Sequence, residues 1–289
     1  MSTRYPVGGV IPLPYHYLLL RDQRRCDAFR QAIEREVQPG AVVLDLGAGT
    51  GLLSYFAAQK ARRVYAVESD PTIASLCGRL VDENGLSDRV EVVTESAFDY
   101  CPSEPVDVVI CEMLHVGLAT EPQVAVLNST RARLQTLYPD HPYRVIPGLS
   151  VSYVQVLQAN YDVYGYQARF LRYADTYLGD PDSKPLSTIQ AYWTADFAAM
   201  VNPTVSASVE LPVSDGGTLN TVRVMTQVAT AFDRDQPSPE SLVDWYLMSL
   251  YIPIAAPFDV RGGQTVQVGL AYEAGCPVED IGVTCALRG

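Results

Sequence analysis

The sequence has few of the residues that build metal sites and disulfide frameworks. It contains only three histidines, His16, His115 and His141, so a histidine-rich metal site is not available. None of the six cysteines belongs to a C-x-x-C pair, and the chain is not a short secreted one. We therefore expect no bound metal, and free thiols in a reducing, cytoplasmic setting.

Long apolar runs are also missing. The chain begins Met1-Ser2-Thr3-Arg4-Tyr5-Pro6, and the apolar stretch that follows is interrupted by Pro12, Pro14 and His16 and lacks a small-residue cleavage site. We expect neither a signal peptide nor a membrane span. With 48% hydrophobic and 19% charged residues, the 289-residue chain should fold as one large domain or two modest ones.

Positive charge is scarce, with 21 Lys and Arg against 33 Asp and Glu and a net charge of −12. An acidic surface repels phosphate backbones and attracts cations. This balance argues against nucleic acid as a partner and favours a cationic substrate, and the lack of a membrane span leads us to expect no membrane partner.

From about Gln23 to Pro147, strand-like and helix-like segments alternate. Strand patterns cover residues 41–44, 63–67, 90–93 and 106–110, and an Asp70-Pro71 pair begins the helix between the second and third of them. Such alternation predicts a parallel sheet with helices on both faces. We assign residues 1–147 to an α/β domain that begins with an N-terminal helix.

After Pro147 the pattern changes to short strand-like runs separated by turn signals. The runs are Val151–Leu157, Val205–Leu211, Thr221–Val228, Tyr246–Ile254 and Thr265–Tyr272. They predict an antiparallel β domain over residues 148–289. The polar, Tyr-rich stretch Tyr161–Lys184 is expected to be an excursion from it.

A glycine-rich turn follows the first predicted strand. Its glycines are Gly47, Gly49 and Gly51, and their G-x-G-x-G spacing differs from the G-x-G-x-x-G of dinucleotide sites. Asp45 can face a cationic amino group, and Glu68, at the end of the second strand, can accept both hydroxyl bonds of a ribose. Loop and acid together favour S-adenosylmethionine over a turn that binds nothing.

These residues resemble the class I S-adenosylmethionine-dependent methyltransferases, which have a Rossmann-like fold, and among them the protein arginine methyltransferases. The run Leu19-Leu20-Arg21-Asp22-Gln23-Arg24-Arg25 is similar to the family's N-terminal helix motif, and the resemblance implies that Arg25 grips the cofactor carboxylate. Val67-Glu68-Ser69 resembles the family's ribose-binding strand end. Ser96 and Ala97 occupy its adenine-contacting turn, with the Ala97 N–H as the expected donor.

The most specific match is the run Glu112-Met113-Leu114-His115-Val116-Gly117-Leu118-Ala119-Thr120-Glu121. The family carries two glutamates nine residues apart after the fourth strand, and Glu112 and Glu121 keep that interval. Two carboxylates can grip a planar guanidinium from two sides and aim one nitrogen at a methyl donor. The resemblance thus implies that both are catalytic and that the substrate is a protein or peptide arginine.

The second half departs from the family at one expected catalytic position. Ile146-Pro147 resembles the family's hinge into a β-barrel, so we expect residues 148–289 to be β-barrel-like. Asp244-Trp245-Tyr246 stands where the family has a Thr-His-Trp loop, so Asp244 replaces its histidine. Asp244 either adds negative charge near the substrate or caps the loop.

The acceptor and the assembly remain open at this stage. The altered Asp244 position leaves room for a small-molecule acceptor or a different side chain. A cofactor-binding partner subunit without activity is a third hypothesis, which the presence of both glutamates weakens. The arm by which the family dimerises is not recognisable in Tyr161–Lys184, so a homodimer is allowed by the resemblance but not indicated.

Overall fold

The first half of the chain forms the parallel sheet that the alternating pattern predicts. In a computed structural model, which describes residues 11–231 and 242–288, five strands make up this sheet. They are β1 Val42–Leu46, β2 Arg63–Val67, β3 Val90–Val93, β4 Val108–Cys111 and β5 Arg144–Ile146. All four neighbouring pairs are parallel, in the order β3-β2-β1-β4-β5. Both β1 and β4 are buried at every position, as central parallel strands should be.

Five helices accompany this sheet in the described residues. They are α1 Leu13–Arg21, α2 Gln23–Glu36, α3 Leu52–Ala57, α4 Pro71–Glu83 and α5 Gln123–Leu137. The helix motif expected over Leu19–Arg25 is divided at Asp22, whose backbone is extended and whose side chain accepts the Arg25 N–H at 3.0 Å. The Asp70 side chain accepts the N–H groups of Thr72 and Ile73 at 2.7 and 2.9 Å, as expected of an N-cap.

The fourth strand was predicted to begin at Val106, and it begins at Val108 instead. The reason is Asp107, whose Oδ2 accepts the Val42 N–H at 2.8 Å. The Asp107 side chain thus accepts the hydrogen bond that a backbone carbonyl of a paired strand would otherwise accept. Regular pairing of β4 with β1 begins one residue after Asp107, between Val43 and Val108. The apolar pattern alone did not distinguish these two arrangements.

The second half is antiparallel, as predicted, and consists of twelve strands in the described residues. They are β6 Leu149–Ala159, β7 Asp162–Val163, β8 Tyr166–Gln167, β9 Arg172–Ala174, β10 Ser183–Pro185, β11 Gln190–Asp196, β12 Thr204–Pro212, β13 Gly217–Ala231, β14 Val243–Tyr246, β15 Ser249–Val260, β16 Thr265–Glu273 and β17 Gly282–Leu287. A seven-stranded sheet has the path β10-β6-β13-β15-β9, with β11 paired to β6 and β14 to β13. A three-stranded sheet, β12-β16-β17, and the hairpin β7-β8 complete it. Pairing among the described strands therefore leaves these sheets open, and closure into a barrel is not supported.

Two predicted features of this half are corrected. The run Tyr246–Ile254 is not one strand, because Tyr246 ends β14 and Ser249 begins β15. The stretch Tyr161–Lys184 is only partly an excursion: the hairpin β7-β8 lies outside the seven-stranded sheet, but β9 pairs with β15 and β10 with β6 at the two ends of that sheet.

The two halves share one hydrophobic core. Its buried residues include Leu44 from the parallel sheet and Val154, Val222 and Val268 from the antiparallel ones. The parallel sheet ends at Ile146 and β6 begins at Leu149, while the assignment of two domains meeting at residue 147 stays a prediction.

No helix in the described ranges is both long and apolar enough to cross a bilayer. The segment Met1–Pro6, on which the expectation of no leader partly rested, lies outside these ranges.

Candidate functional site

The turn between β1 and α3 has the backbone conformation for which glycine is needed. Gly47, Gly49 and Gly51 have φ angles of 70°, 56° and 84°, in the left-handed region that other residues avoid. The space is also tight, because a Cβ on Gly47 would lie 2.5 Å from the Met113 side chain. Glycine is therefore required here both by the backbone conformation and by the lack of space for a side chain at Gly47.

Glu68 meets this turn directly. Its Oε2 accepts the Gly49 N–H at 3.0 Å, and its Oε1 accepts the Asp70 N–H at 2.9 Å. Ser69, beside it, is exposed. The glycine-rich turn and Glu68, which the sequence analysis assigned to one site, are therefore in contact across nineteen residues. Their roles in binding a ribose stay predictions.

Asp45 is turned away from the surface. Its Oδ2 accepts the Ser54 hydroxyl of α3 at 2.6 Å, and the residue is 1% exposed. Burial raises the pKa of this carboxyl to about 6, although the hydrogen bonds from Ser54 act in the opposite direction. The carboxylate therefore organises the start of α3, and its expected contact with an amino group stays a prediction.

The turn with Ser96 and Ala97 is fixed through its polar groups. Ser96 Oγ accepts the Phe98 N–H at 3.1 Å, and the Ala97 carbonyl accepts from Arg133 of α5 at 2.8 Å. Ala97 itself is buried. This arrangement is compatible with an adenine contact from the backbone of the turn, and that contact stays a prediction.

Sequence reasoning missed His16, which lies over the glycine-rich turn. A Cβ on Gly49 would stand 3.1 Å from the His16 ring. Burial lowers the pKa of His16, and the nearby Glu68 opposes this. A lone histidine among tyrosines in α1 gives no recognisable signal, and only the path of α1 brings it to the loop.

Arg25 and Glu112 form the central ion pair of the site. Arg25 Nε donates to Glu112 Oε2 at 3.1 Å, and Nη2 contacts the same oxygen. The two side chains are only 7% and 10% exposed. Burial acts to lower the pKa of Arg25, and the Glu112 carboxylate more than offsets this, so the pKa lies above its ordinary value. The third nitrogen, Nη1, has only a long contact of 3.5 Å with the Leu19 carbonyl.

Glu121 lies within the electrostatic influence of the same pair. Burial raises its pKa to about 8, the Glu112 carboxylate adds to the rise, and Arg25 opposes it. Glu121 therefore favours its neutral form more than a free glutamate does, beside the ion pair of Glu112 and Arg25. The two glutamates expected to act together are thus coupled, and a buried acid of this kind is suited to gain or lose a proton near pH 7.

The loop between the glutamates, residues 112–121, is held by the antiparallel half. At its tip, the Gly117 N–H donates to Thr226 Oγ1 of β13 at 2.7 Å. The Gly117 carbonyl accepts from the Tyr272 hydroxyl of β16 at 2.8 Å. Both backbone polar groups of Gly117 are therefore satisfied by side chains from the second half, more than a hundred residues away.

Two residues near the end of the loop adopt a conformation that costs energy. Leu118 and Thr120 have φ angles of 52° and 64°, which are unfavourable for side chains of this size. Both are held by backbone bonds to one turn: Gly275 N–H to the Leu118 carbonyl at 2.8 Å, and Thr120 N–H to the Cys276 carbonyl at 2.6 Å. The direction in which Glu121 leaves this strained stretch is thus imposed by the second half.

The hydrogen bond of the Asp244 side chain is to Gln227 and not to Arg25, Glu112 or Glu121. Asp244 is exposed on β14, and its Oδ2 accepts from Gln227 of β13 at 2.5 Å. The next residue, Trp245, faces the other way and packs its ring edge-on against Phe29 of α2, at 6.4 Å between ring centres. Alternation along β14 therefore points Asp244 away from α2, and its expected catalytic role stays a prediction.

The donor set around the turn fits S-adenosylmethionine. The Glu68 carboxylate beside the glycine-rich turn and the incompletely bonded Arg25 Nη1 match a sugar and an amino acid rather than a pyrophosphate. A nicotinamide-type site would need a third glycine one position later. Within residues 11–231 and 242–288, no cluster of three or more His, Cys, Asp or Glu side chains could hold a metal ion.

Comparison with known proteins agrees with this site. A family model described as a methyltransferase domain matches residues 43–136. An uncharacterized protein of Methanocaldococcus jannaschii is 30% identical over 93% of this chain and 95% of its own length. The arginine N(omega)-methyltransferase of Streptomyces achromogenes subsp. streptozoticus is 36% identical, over 44% of this chain and 36% of its own.

Solved structures share the fold over nearly the whole chain. The PRMT1 enzyme-prozyme complex of Trypanosoma brucei with AdoHcy aligns with a TM-score of 0.74 at 17% identity, covering 94% of this chain and 96% of that one. Protein arginine methyltransferase 10 of Arabidopsis thaliana also gives 0.74, at 19% identity, with 96% and 97% covered. At such identities the likeness is one of fold.

Removal of the Glu68 carboxylate tests the cofactor site. We expect Glu68→Ala to weaken S-adenosylmethionine binding by about 2 kcal/mol or more in calorimetry, because charge-assisted hydrogen bonds are lost. Glu91→Ala is the matched control, since Glu91 pairs with Arg63 on the sheet surface at 2.8 Å. Equal affinity in Glu68→Ala, or wild-type preference for a nicotinamide dinucleotide, would contradict the assignment.

The pH dependence of stability tests the state of Glu121. Its pKa is raised on folding, so between about pH 4.5 and pH 8 the folded protein binds more protons than the unfolded chain. The free energy of unfolding therefore falls as pH rises through this window. Glu121→Gln removes this loss, so its advantage over wild type should be larger at pH 8 than at pH 5 by on the order of 2 kcal/mol.

Denaturant unfolding of the cofactor-free proteins at both pH values measures this difference. Asp45, whose pKa is also raised, is present in both proteins and cancels from the comparison. If Glu121→Gln and wild type have parallel pH profiles, Glu121 is ionised in the folded protein and the account of the site is wrong.

Proposed function

Because the chain belongs to the class I S-adenosylmethionine-dependent methyltransferases, we propose that it methylates a guanidinium nitrogen of arginine in a protein or peptide. The observation that carries this proposal is the partly buried carboxyl pair Glu112 and Glu121 beside the buried Arg25. The name of the arginine methyltransferase from Streptomyces supports the same acceptor group. That relative matches less than half of this chain, so the acceptor rests chiefly on the site.

Glu112 already binds a guanidinium, that of Arg25. The surroundings of Glu112 are therefore compatible with a planar, forked donor at nearly full burial. The pair as a whole holds one more carboxyl group than the single arginine can neutralise. A second guanidinium, from a substrate, would supply the missing positive charge and would favour the ionised form of Glu121.

The proposed chemistry needs proton transfer by the protein. Free arginine has a pKa above about 12, so it arrives as a cation and is a poor nucleophile. When bound, S-adenosylmethionine supplies an electrophilic methyl group on a positively charged sulfur. Glu112 and Glu121 would bind the guanidinium, polarise it and direct one nitrogen toward that group. The N–H proton that becomes acidic on methylation would pass to a carboxylate, and the raised pKa of Glu121 suits it to accept.

The setting and the assembly belong to the same proposal. All six cysteines are free thiols, which supports a reducing, cytoplasmic location. Association with a second copy stays a prediction. A solved structure of similar fold is described as a heterotetrameric complex, which says nothing direct about this chain.

Neutralising Glu112 tests the reaction. Glu112→Gln keeps the shape of the side chain and removes its charge, so we expect kcat/KM on an arginine peptide to fall by about a hundredfold or more, near 3 kcal/mol. The measurement is mass spectrometry of Arg-rich peptides and a cell extract after incubation with isotope-labelled S-adenosylmethionine. Calorimetry with S-adenosylmethionine is the control, because Glu112 also binds Arg25 of the cofactor site; the loss in kcat/KM should exceed any loss in cofactor affinity.

Two further variants separate the alternatives. Asp244→Ala is expected to have little effect, because its carboxylate bonds Gln227; a large loss would show that it replaces the family's histidine. Normal turnover on the true substrate in both Glu112→Gln and Glu121→Gln would overturn the arginine mechanism. A small-molecule acceptor would then become the leading hypothesis.

A further inference from the structure

The buried side-chain amide of Gln123 bonds to the backbone on both sides of Glu112. Gln123 is the first residue of α5 and has no exposed surface. Its Nε2 donates to the Cys111 carbonyl at 2.8 Å, and its Oε1 accepts the Met113 N–H at 2.8 Å. The residues so bonded stand immediately before and after Glu112.

This contact occurs where the parallel sheet stops supporting the chain. Cys111 is the last residue of β4, so the backbone beyond it has no strand neighbour to fix its direction. The amide takes the place of such a neighbour, because it offers one donor and one acceptor just as a peptide group does. Glu112 is thereby held at a defined angle to the sheet.

The same side chain also connects the two ends of the glutamate loop. Gln123 follows Glu121 by two residues and bonds across to both neighbours of Glu112. The distance between the two carboxyl-bearing residues thus depends on this amide as well as on the contacts that the second half makes with the loop. Misplacement of a binding group by about 1 Å is enough to reduce activity strongly.

We propose that Gln123 is a positioning residue, which sets the separation and direction of Glu112 and Glu121 and so determines how tightly they hold a guanidinium. This inference rests on the proposed function. The plainer alternative is a buried glutamine that only satisfies two backbone groups, as most buried amides do. The alternative affects stability alone, whereas positioning affects the acceptor site as well.

A matched pair of variants on α5 distinguishes the two roles. Gln123→Met keeps length and volume and loses both hydrogen bonds. Asn128→Leu is the control: Asn128 also exchanges two bonds with backbone, those of Val201 at 2.8 and 3.0 Å, and it does not contact the glutamate loop. Both variants should lower the melting temperature, since each leaves two polar backbone groups without a partner.

The kinetic constants of the two variants should differ. For an arginine peptide, we expect Gln123→Met to lower kcat/KM by about thirtyfold or more, mainly through KM. Its S-adenosylmethionine dissociation constant in calorimetry should stay within about twofold of wild type, because Glu68 and the glycine-rich turn are untouched. Asn128→Leu should leave KM within about twofold. Equal KM values in the two variants would overturn the proposal.

Gln123→Glu provides a pH-dependent rescue. A protonated glutamic acid can donate and accept as the amide does, whereas a carboxylate cannot donate to the Cys111 carbonyl. The titratable groups around Cys111 are its own thiol, Asp45, Glu112 and Glu121, with Arg25 beyond Glu112. Since wild type contains all of them, the ratio of Gln123→Glu to wild-type activity isolates position 123.

This ratio should approach one at low pH and fall as pH rises, whereas Gln123→Met should stay impaired at low pH because position 123 then has no group to protonate. A pH-independent ratio for Gln123→Glu would contradict the proposal even if Gln123→Met failed to fold. If wild type methylates no guanidinium, the proposed function fails separately. Positioning is then tested by carboxyl titration with ¹³C-labelled glutamate, where Gln123→Met should move the Glu121 pKa and Asn128→Leu should not.

Discussion

The arrangement of this protein depends on the burial of two carboxyl groups with one arginine. Glu112 and Arg25 form an ion pair. Glu121 has no cation of its own, and its pKa is raised to about 8, so it either keeps its proton or ionises when another cation binds. Two buried carboxylates with a single counter-ion are unfavourable unless their geometry is imposed from outside. The surrounding structure imposes that geometry. Because one carboxyl group lacks a positive partner, the site is suited to bind a guanidinium.

The antiparallel half holds the glutamate loop rather than merely covering it. Thr226 and Tyr272 bond both polar groups of Gly117, and the Gly275–Cys276 turn holds Leu118 and Thr120 in the left-handed region. A parallel sheet alone would provide Glu112 at a strand end and leave Glu121 on a free loop. Because the two halves share one core, the contacts that hold the loop come from a part of the structure fixed relative to the parallel sheet.

The sequence predicted those features that depend on local pattern. The glycine-rich turn and Glu68 follow strands whose apolar runs are unambiguous, and their contact follows from parallel pairing. The pairing of Arg25 with Glu112 across 87 residues has no local signal. The sequence analysis instead assigned Arg25 to the cofactor carboxylate and Glu112 to the substrate guanidinium. Asp244 was assigned by motif position, but its side-chain direction depends on the register of β14, which the motif does not contain. Gln123 and His16 were missed because one isolated residue makes no pattern.

Proton release on acceptor binding tests the central claim most directly. Calorimetry of an arginine peptide with the enzyme loaded with S-adenosylhomocysteine, which has no methyl group to transfer and so adds no reaction proton, counts the protons exchanged at pH 7 in buffers of different ionisation enthalpy. Because a bound cation should ionise Glu121, the account predicts release of about one proton per peptide in wild type and none in Glu121→Gln. Peptide binding without proton release, or equal release in the variant, would contradict it.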